Sequence, residues 1–289
     1  MTRSRTRWPS VVFLGAALFT PAILSAQSYR SVSASRLVMG EKSLRVDIEF
    51  AAGKLRVTPG DGRTLYQGEI FYDEGKFQSI TDYDARTHTL HFGLKTREGS
   101  GKLGRLEHPQ RLDLSLAPQV PTALTTSLGA AEAEIELGGL SLTSVEINSG
   151  AAQTLVIFSQ PNRVDCSALS LGTGAAELRA ESLGNARCEK IRFAGGVGDV
   201  TLDFTGEWSE ETAIYQADIK LGLGQLTLRF PKNIGVAIEV DRFLASFDRA
   251  GLSKAGSSYL SHGYDAAKIK LHIALKAVLG DIDIEWVER

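Results

Sequence analysis

A short cassette recurs from residue 127 toward the C-terminus: a glycine, then a segment in which every second residue is apolar. The copies read SLGAAEAEI at 127–135, NSGAAQTLV at 148–156, GTGAAELRA at 172–180, GVGDVTLDF at 196–204, GLGQLTLRF at 222–230 and VLGDIDIEW at 278–286. Counted from Gly129, Gly150, Gly174, Gly198, Gly224 and Gly280, the second, fourth and sixth residues are apolar except Thr154. The residues between them are mostly hydrophilic, as in Asp199, Thr201 and Asp203. Alternation with period two puts one dry and one wet face on a strand, whereas a helix would scatter the same residues around its axis.

The first five cassette glycines are 21, 24, 24 and 26 residues apart, and the last gap of 56 leaves room for an unmarked copy plus an insertion near 242–265. One such strand cannot bury its apolar side alone, but stacked copies share a continuous core. Each repeat also carries a second strand, at 142–147, 168–171, 191–193, 213–219 and 236–240. The expected fold is therefore all-β: a parallel β-solenoid, a single-layered β-helix of about six to seven rungs over 121–289. Glycine suits corners where stacked backbones crowd one another. The competing antiparallel sandwich lacks two-residue hairpin signals between cassettes.

Residues 1–26 have the pattern of a secretory signal peptide, with Arg3, Arg5 and Arg7 ahead of an apolar run at 11–19 and cleavage expected between Ala26 and Gln27. The run is too short to span a bilayer, so no transmembrane segment is expected in the mature chain. Losing three arginines and no acids moves the formal charge from −2 to −5, which argues against a nucleic-acid partner. In the periplasm or at the cell surface cysteines oxidise, and Cys166 and Cys188 are 22 residues apart, close to one repeat. Adjacent rungs about 4.8 Å apart bring such a pair within disulfide reach.

Residues 27–120 have a different texture: Leu44, Val46, Ile48 and Phe50 alternate, Gly53 turns the chain into Leu55 and Val57, and more strands follow at 64–72, 76–83, 88–94 and 111–117, separated by turn formers such as Pro59-Gly60-Asp61-Gly62. They read as an antiparallel-looking β region capping the array, with Pro118 and Pro121 marking the junction. The stretch from LRVDIEFAAGKLRVTPGDG to HTLHFGL, followed by the glycine-led rungs SGAAQ, GTGAAEL, GVGDVTLDF and GLGQLTLRFP, resembles the bacterial toast-rack family. Its second half is similar to the C-terminal domain of cell-wall-active antibiotic response proteins and to adhesin-like β-solenoids. That resemblance implies an envelope-associated β-solenoid without catalytic residues, in some relatives attached to membrane helices and linked to stress signalling.

Motifs for chemistry are few. The G-x-G-x-x-G run at 99–104 sits in a polar loop without the βαβ context a dinucleotide site needs. Gly195-Gly196-Val197-Gly198-Asp199 approaches the calcium nonapeptide, but its aspartate falls one residue early and the motif occurs once. His88, His91, His108, His262 and His272 form no metal or triad spacing, and no metal or other cofactor is expected. The strongest enzymatic case is a file of acids on the solvent side, Glu132, Glu177, Asp199, Asp203, Asp281, Asp283 and Glu285, two of which could stand at hydrolytic spacing. No tryptophan platform for sugars accompanies them: Trp208 falls between strands and Trp286 on the apolar side.

The expected function is a non-catalytic exported module of the envelope, a structural, interaction or stress-related scaffold whose partner is an envelope protein or glycan. A polysaccharide-acting β-helix enzyme and a calcium-dependent adhesin are the alternatives.

Overall fold

The computed structural model describes residues 29–99, 109–212 and 214–288. The leader, the expected cut between Ala26 and Gln27, His108 and the part of the G-x-G-x-x-G run after Gly99 lie outside the described residues. The first strands are β1 (Tyr29–Leu37), β2 (Leu44–Pro59), β3 (Thr64–Asp73), β4 (Phe77–Asp84), β5 (Thr89–Thr96) and β6 (Arg111–Leu116). Next come β7 (Thr122–Glu136), β8 (Leu142–Ser149), β9 (Gln153–Ile157), β10 (Cys166–Ala175), β11 (Glu177–Glu181) and β12 (Cys188–Asp203). The last are β13 (Ile214–Pro231), β14 (Gly235–Phe247), β15 (Leu252–Ala255), β16 (Ser258–Ser261) and β17 (Lys270–Val287). Among the described residues helix is confined to 3-10 turns at Leu183–Ala186 and Tyr264–Ala266.

The core is a parallel ladder. Strand β2 pairs with β7, which pairs with β8 along its first half and β9 along its second. Strands β10 and β11 follow on β8 and β9, and both pair with β12. The order then runs β13, β17, β14. The gap before Gly280 thus holds an unmarked copy, β14, but the last strand of the chain slips between β13 and that copy. The hairpin β15–β16 is the inserted segment, and it folds back antiparallel on the far edge of β14 at Ala237–Glu239.

Each level has two limbs with opposite inward parity. In β17, Leu271, Ile273, Leu275 and Ala277 are buried before the bend and Ile282 and Ile284 after it. Between them Val278 and Leu279 are exposed and Gly280 has φ +128°. On the first limb Val46, Leu124, Val145, Leu169, Ile191, Ala217, Ile273 and Ile238 are successive partners and all buried. On the second, Leu55, Ala133, Thr154, Leu178, Val200, Leu226, Ile282 and Phe247 form the matching column. Its one polar member, Thr154, is satisfied by the Ser149 hydroxyl at 2.9 Å. Phe204, Phe230 and Trp286 stack at the end of this limb with ring centroids 5.3 and 5.5 Å apart.

The cassette alignment needs one correction. It set Gly174 opposite Gly198, yet the ladder pairs Ala175 with Val197 and Leu178 with Val200, so Gly174 stacks on Gly196 and Ala176 on Gly198. The corner contains two tight positions, two residues apart. A Cβ at Gly224 would lie 1.9 Å from the Gly198 carbonyl oxygen, and one at Gly222 would lie 2.5 Å from that of Gly196. The GVG and GLG copies have glycine at both positions, while the earlier copies have it only at the first. Because the offset is two residues, the inward parity is unchanged.

The N-terminal part also differs from the antiparallel region expected. Strands β5 and β6 lie end to end on the free edge of β2 and run parallel to it, and β2 itself is a level of the ladder. Antiparallel pairing is confined at this end to β4 on β5, β3 on β6 and β1 on β3. The reason is length: β2 spans 16 residues, long enough to run along both limbs and template β7. Residues on both sides of Pro118 and Pro121 belong to one apolar cluster.

Leu202 is fully buried and its neighbour Thr201 faces outward between Arg179 and Thr227. Leu202→Asp is expected to cost several kcal/mol, on the order of the burial of an unpaired charge, and to leave little folded protein. Thr201→Asp is expected to change stability by about 0.5 kcal/mol or less in urea melts; equal damage from both would refute the assigned facing.

Candidate functional site

The residues between the inward positions of the second limb build a polar face. Its first outward column runs Lys54, Glu132, Gln153, Glu177, and continues with Asp199, Gln225, Asp281. The next runs Arg56, Glu134, Leu155, Arg179, Thr201, Thr227, Asp283. A third holds Asp203, Arg229 and Glu285 on consecutive levels. Like charges directly opposite one another in a ladder repel, so a cation, amide or hydroxyl between acids relieves the column.

The side chains use those positions. Lys54 reaches Glu132 at 2.9 Å and Arg56 reaches Glu134 at 3.2 Å. Arg229 donates to Asp203 at 3.1 Å and to Glu285 at 3.0 Å, bridging three levels. Gln225 donates to Asp283 at 2.8 Å, and Ser246 bonds Asp281. Asp203, mostly buried, also accepts the backbone N–H of Thr205 at 2.9 Å.

Of the acids singled out from sequence, the structure brings two onto neighbouring levels without a separator. Leu178 opposite Val200 places Glu177 beside Asp199. Both are exposed over a shallow floor of Ala151, Ala152, Ala175 and Ala176. A glycosidase pair needs surroundings that give its two carboxyls different roles. Here both carboxyls share the same open surface; Gln153 donates to Glu177 at 3.4 Å, a long contact that does not by itself set an acid apart from a nucleophile.

A groove of about 710 Å³ crosses this face where β6, β2, β7, β9 and β11 meet. Its walls carry Lys54, Arg56, Arg111 and Arg179 together with Asp113, Glu132, Glu134 and Glu177. Arg111 and Asp113 make no ion pair among the described residues. The groove offers donors and acceptors of both signs along an extended line, a surface for hydrogen-bonding a polar chain.

The remaining sequence candidates are dispersed. Cys166 and Cys188 are opposite partners in β10 and β12 and form a disulfide with both residues buried. His88 precedes β5 in a turn with φ +50°, not in a strand as expected from sequence. His91 lies 3.4 Å from Asp47, and His272 meets the Tyr264 hydroxyl at 2.6 Å. His262 stands exposed in the turn before the Tyr264–Ala266 segment. The Gly195–Asp199 run forms a corner of β12. Trp208 is buried in its loop beside Phe204 and edge-on to Tyr215, with centroids 4.6 Å apart in the latter contact. Trp286 donates to the Ala250 carbonyl at 2.8 Å.

Sequence reasoning missed Asn162 and Asn185. Each is buried in the return between levels: Asn162 Oδ1 accepts the Leu142 N–H at 2.8 Å, and Asn185 Oδ1 accepts that of Glu207 at 2.7 Å. Their spacing of 23 residues, close to the repeat, was the available signal.

Among the described residues no helix is long and apolar enough to cross a membrane. The family model described as the N-terminal domain of toast_rack, DUF2154, matches residues 25–179. Among solved structures, a putative cell adhesion protein from Clostridium sporogenes is 17% identical, with 90% of this chain and 100% of that chain covered and a TM-score of 0.47. A putative adhesin from Parabacteroides merdae is 13% identical, with 90% and 96% covered and a TM-score of 0.38. No curated protein sequence matches the chain.

Arg229→Met removes the charge that serves Asp203 and Glu285 together. It is expected to destabilise the protein by about 1.5–3 kcal/mol in urea unfolding, the range for hydrogen bonds to charged groups. Lys54→Ala, at an exposed pair, is expected to cost about 1 kcal/mol or less.

Proposed function

This chain belongs to the toast-rack family, and on that footing we propose that it is a non-catalytic exported β-solenoid module of the bacterial envelope, a scaffold that presents its polar face to an envelope protein or glycan. The observation that carries the proposal is the buried Cys166–Cys188 bridge between neighbouring levels. Such a bridge persists where thiols oxidise, and closing a loop of this size contributes on the order of 3 kcal/mol. The leader pattern of residues 1–26 supports the same compartment.

Three further points favour a scaffold. The parallel order from β7 to β14 supports reading residues 121–289 as a single-layered coil of about six to seven rungs. Registers between β2 and β7 support treating 27–120 and 121–289 as one body with a common core. On the polar face most acids are engaged by Lys54, Arg56, Gln225 or Arg229, which favours a wet face of a stack over a reacting centre.

The neighbouring Glu177 and Asp199 are the observation that favours the polysaccharide-acting reading. Asp199→Asn separates the two: unchanged binding of envelope glycans without turnover fits the scaffold, while hydrolysis lost in the variant fits the enzyme.

Expressed with its own leader in a bacterial host, the protein is expected outside the cytoplasm, beginning at Gln27 and with no alkylatable thiol until reduced. Two reactive thiols in a cytoplasmic, uncleaved product would overturn the export reading. Cross-linking in the envelope followed by recovery of the protein identifies the partner.

A further inference from the structure

Among the described residues, six of the nine exposed large apolar side chains lie together at the corner of the last four levels. Val197, Leu223, Leu279 and Leu244 are successive partners on β12, β13, β17 and β14, exposed by 49%, 41%, 41% and 65%. Val278 and Phe243, each one residue earlier on its strand, are exposed by 57% and 79%. Toward the other end the same line is occupied by Ala175, the partner of Val197. The ridge therefore grows from alanine through valine to leucine and phenylalanine along the stack. Single exposed apolar residues are ordinary on protein surfaces, but a contiguous line of them marks an interaction surface.

The charges beside the ridge indicate what covers it. On the first-limb flank Lys220 and Lys276 are partners on adjacent levels; Lys276 lies 3.6 Å from Asp241 at an exposed pair, and Lys220 makes no ion pair among the described residues. On the second-limb flank Asp199, Gln225 and Asp281 follow one another. A two-fold axis along the ridge sets the first-limb flank of one molecule against the second-limb flank of the other at the same level. Lys276 then faces Asp281 of the second copy, and Lys220 faces Gln225 of the second copy close to its Asp199. The opposite arrangement, with the stacks running antiparallel about the middle of the ridge, would set Lys220 against Lys276 of the second copy twice over. An anionic lipid surface would attract one flank and repel the other. We propose that this ridge is where two copies of the chain associate side by side, about a two-fold axis running along the stack, with the leucines and Phe243 at the centre and lysine–aspartate pairs at the rim. Apolar contacts at the centre hold such an interface together, and the charged rim sets its orientation.

Sedimentation of the mature exported protein tests this. A concentration-dependent dimer is expected, and Leu279→Glu and Phe243→Glu should each raise its dissociation constant on the order of tenfold or more at unchanged melting temperature. Lys276→Glu should weaken the dimer, and adding Asp281→Lys should restore it, a rescue that loss of folding would not produce. Residues beside a two-fold axis meet their own copies, so Leu279→Cys should form a disulfide-linked dimer with diamide and Thr201→Cys should not. A monomer at every concentration tested, or a dimer indifferent to Leu279→Glu, overturns the proposal. Flotation of a monomeric protein with phosphatidylglycerol vesicles, abolished by Leu279→Glu, also overturns it and assigns the ridge to a lipid surface.

Discussion

The parallel ladder is the constraint on which the rest of this structure depends. A single level offers one narrow apolar stripe per limb, too little to bury by itself, and only exact stacking in register joins those stripes into columns such as Val46 to Ile238. Register also fixes everything outside the core. It brings Cys166 opposite Cys188, lines up the corner glycines, and decides which charge stands beside which. Because levels are about 4.8 Å apart, every outward residue has a neighbour of the same column on either side. The choice of side chain at one level therefore constrains the next.

The polar face illustrates that constraint. Acids are the commonest outward residues of the last cassettes, and an uninterrupted file of them would repel along its length. Gln225 between Asp199 and Asp281, and Arg229 between Asp203 and Glu285, break the file and bond to its members or to neighbours. An acidic strand in the sequence consequently becomes a compensated surface in the fold. The place where compensation lapses, Glu177 beside Asp199, is where the register differs from the one glycine spacing implied.

How much of this was legible follows from what each signal measures. Period-two alternation reports which face of a strand is dry, so the inward residues of all six cassettes were readable, and Cys166 with Cys188 followed from spacing. Glycine reports crowding at a corner but not which of two crowded positions it fills, so GTGAA and GVGD could be aligned two residues apart with no penalty in facing. Strand order in space has no local signature at all. Nothing in residues 242–287 says that β17 inserts between β13 and β14, because both neighbours present the same dry face. In the N-terminal part, turn formers announced reversals, and the long β2 that templates β7 was hidden by the glycine at its bend, Gly53 with φ +116°. The engagement of Asp203 by Arg229, and of the backbone by Asn162 and Asn185, depends on neighbours 20 to 26 residues away.

The two ends of the ladder are closed differently, and this bears on how the molecule meets others. At the β2 end, β5 and β6 cover the edge, with β4 and β3 beyond them. At the β14 end the hairpin covers only Ala237–Glu239, leaving the corner half without a neighbouring strand among the described residues. A bare edge invites strand addition and open-ended growth, a hazard that proteins blunt with charge. Arg242 does this here by donating to the Ala245 carbonyl at 2.7 Å, filling with a side chain the place where another strand would bond. Phe243 and Leu244 remain exposed on the same turn. With the Ala245 carbonyl occupied and the apolar side chains free, this corner discourages growth along the stack while leaving the ridge open to lateral contact, which closes after one partner.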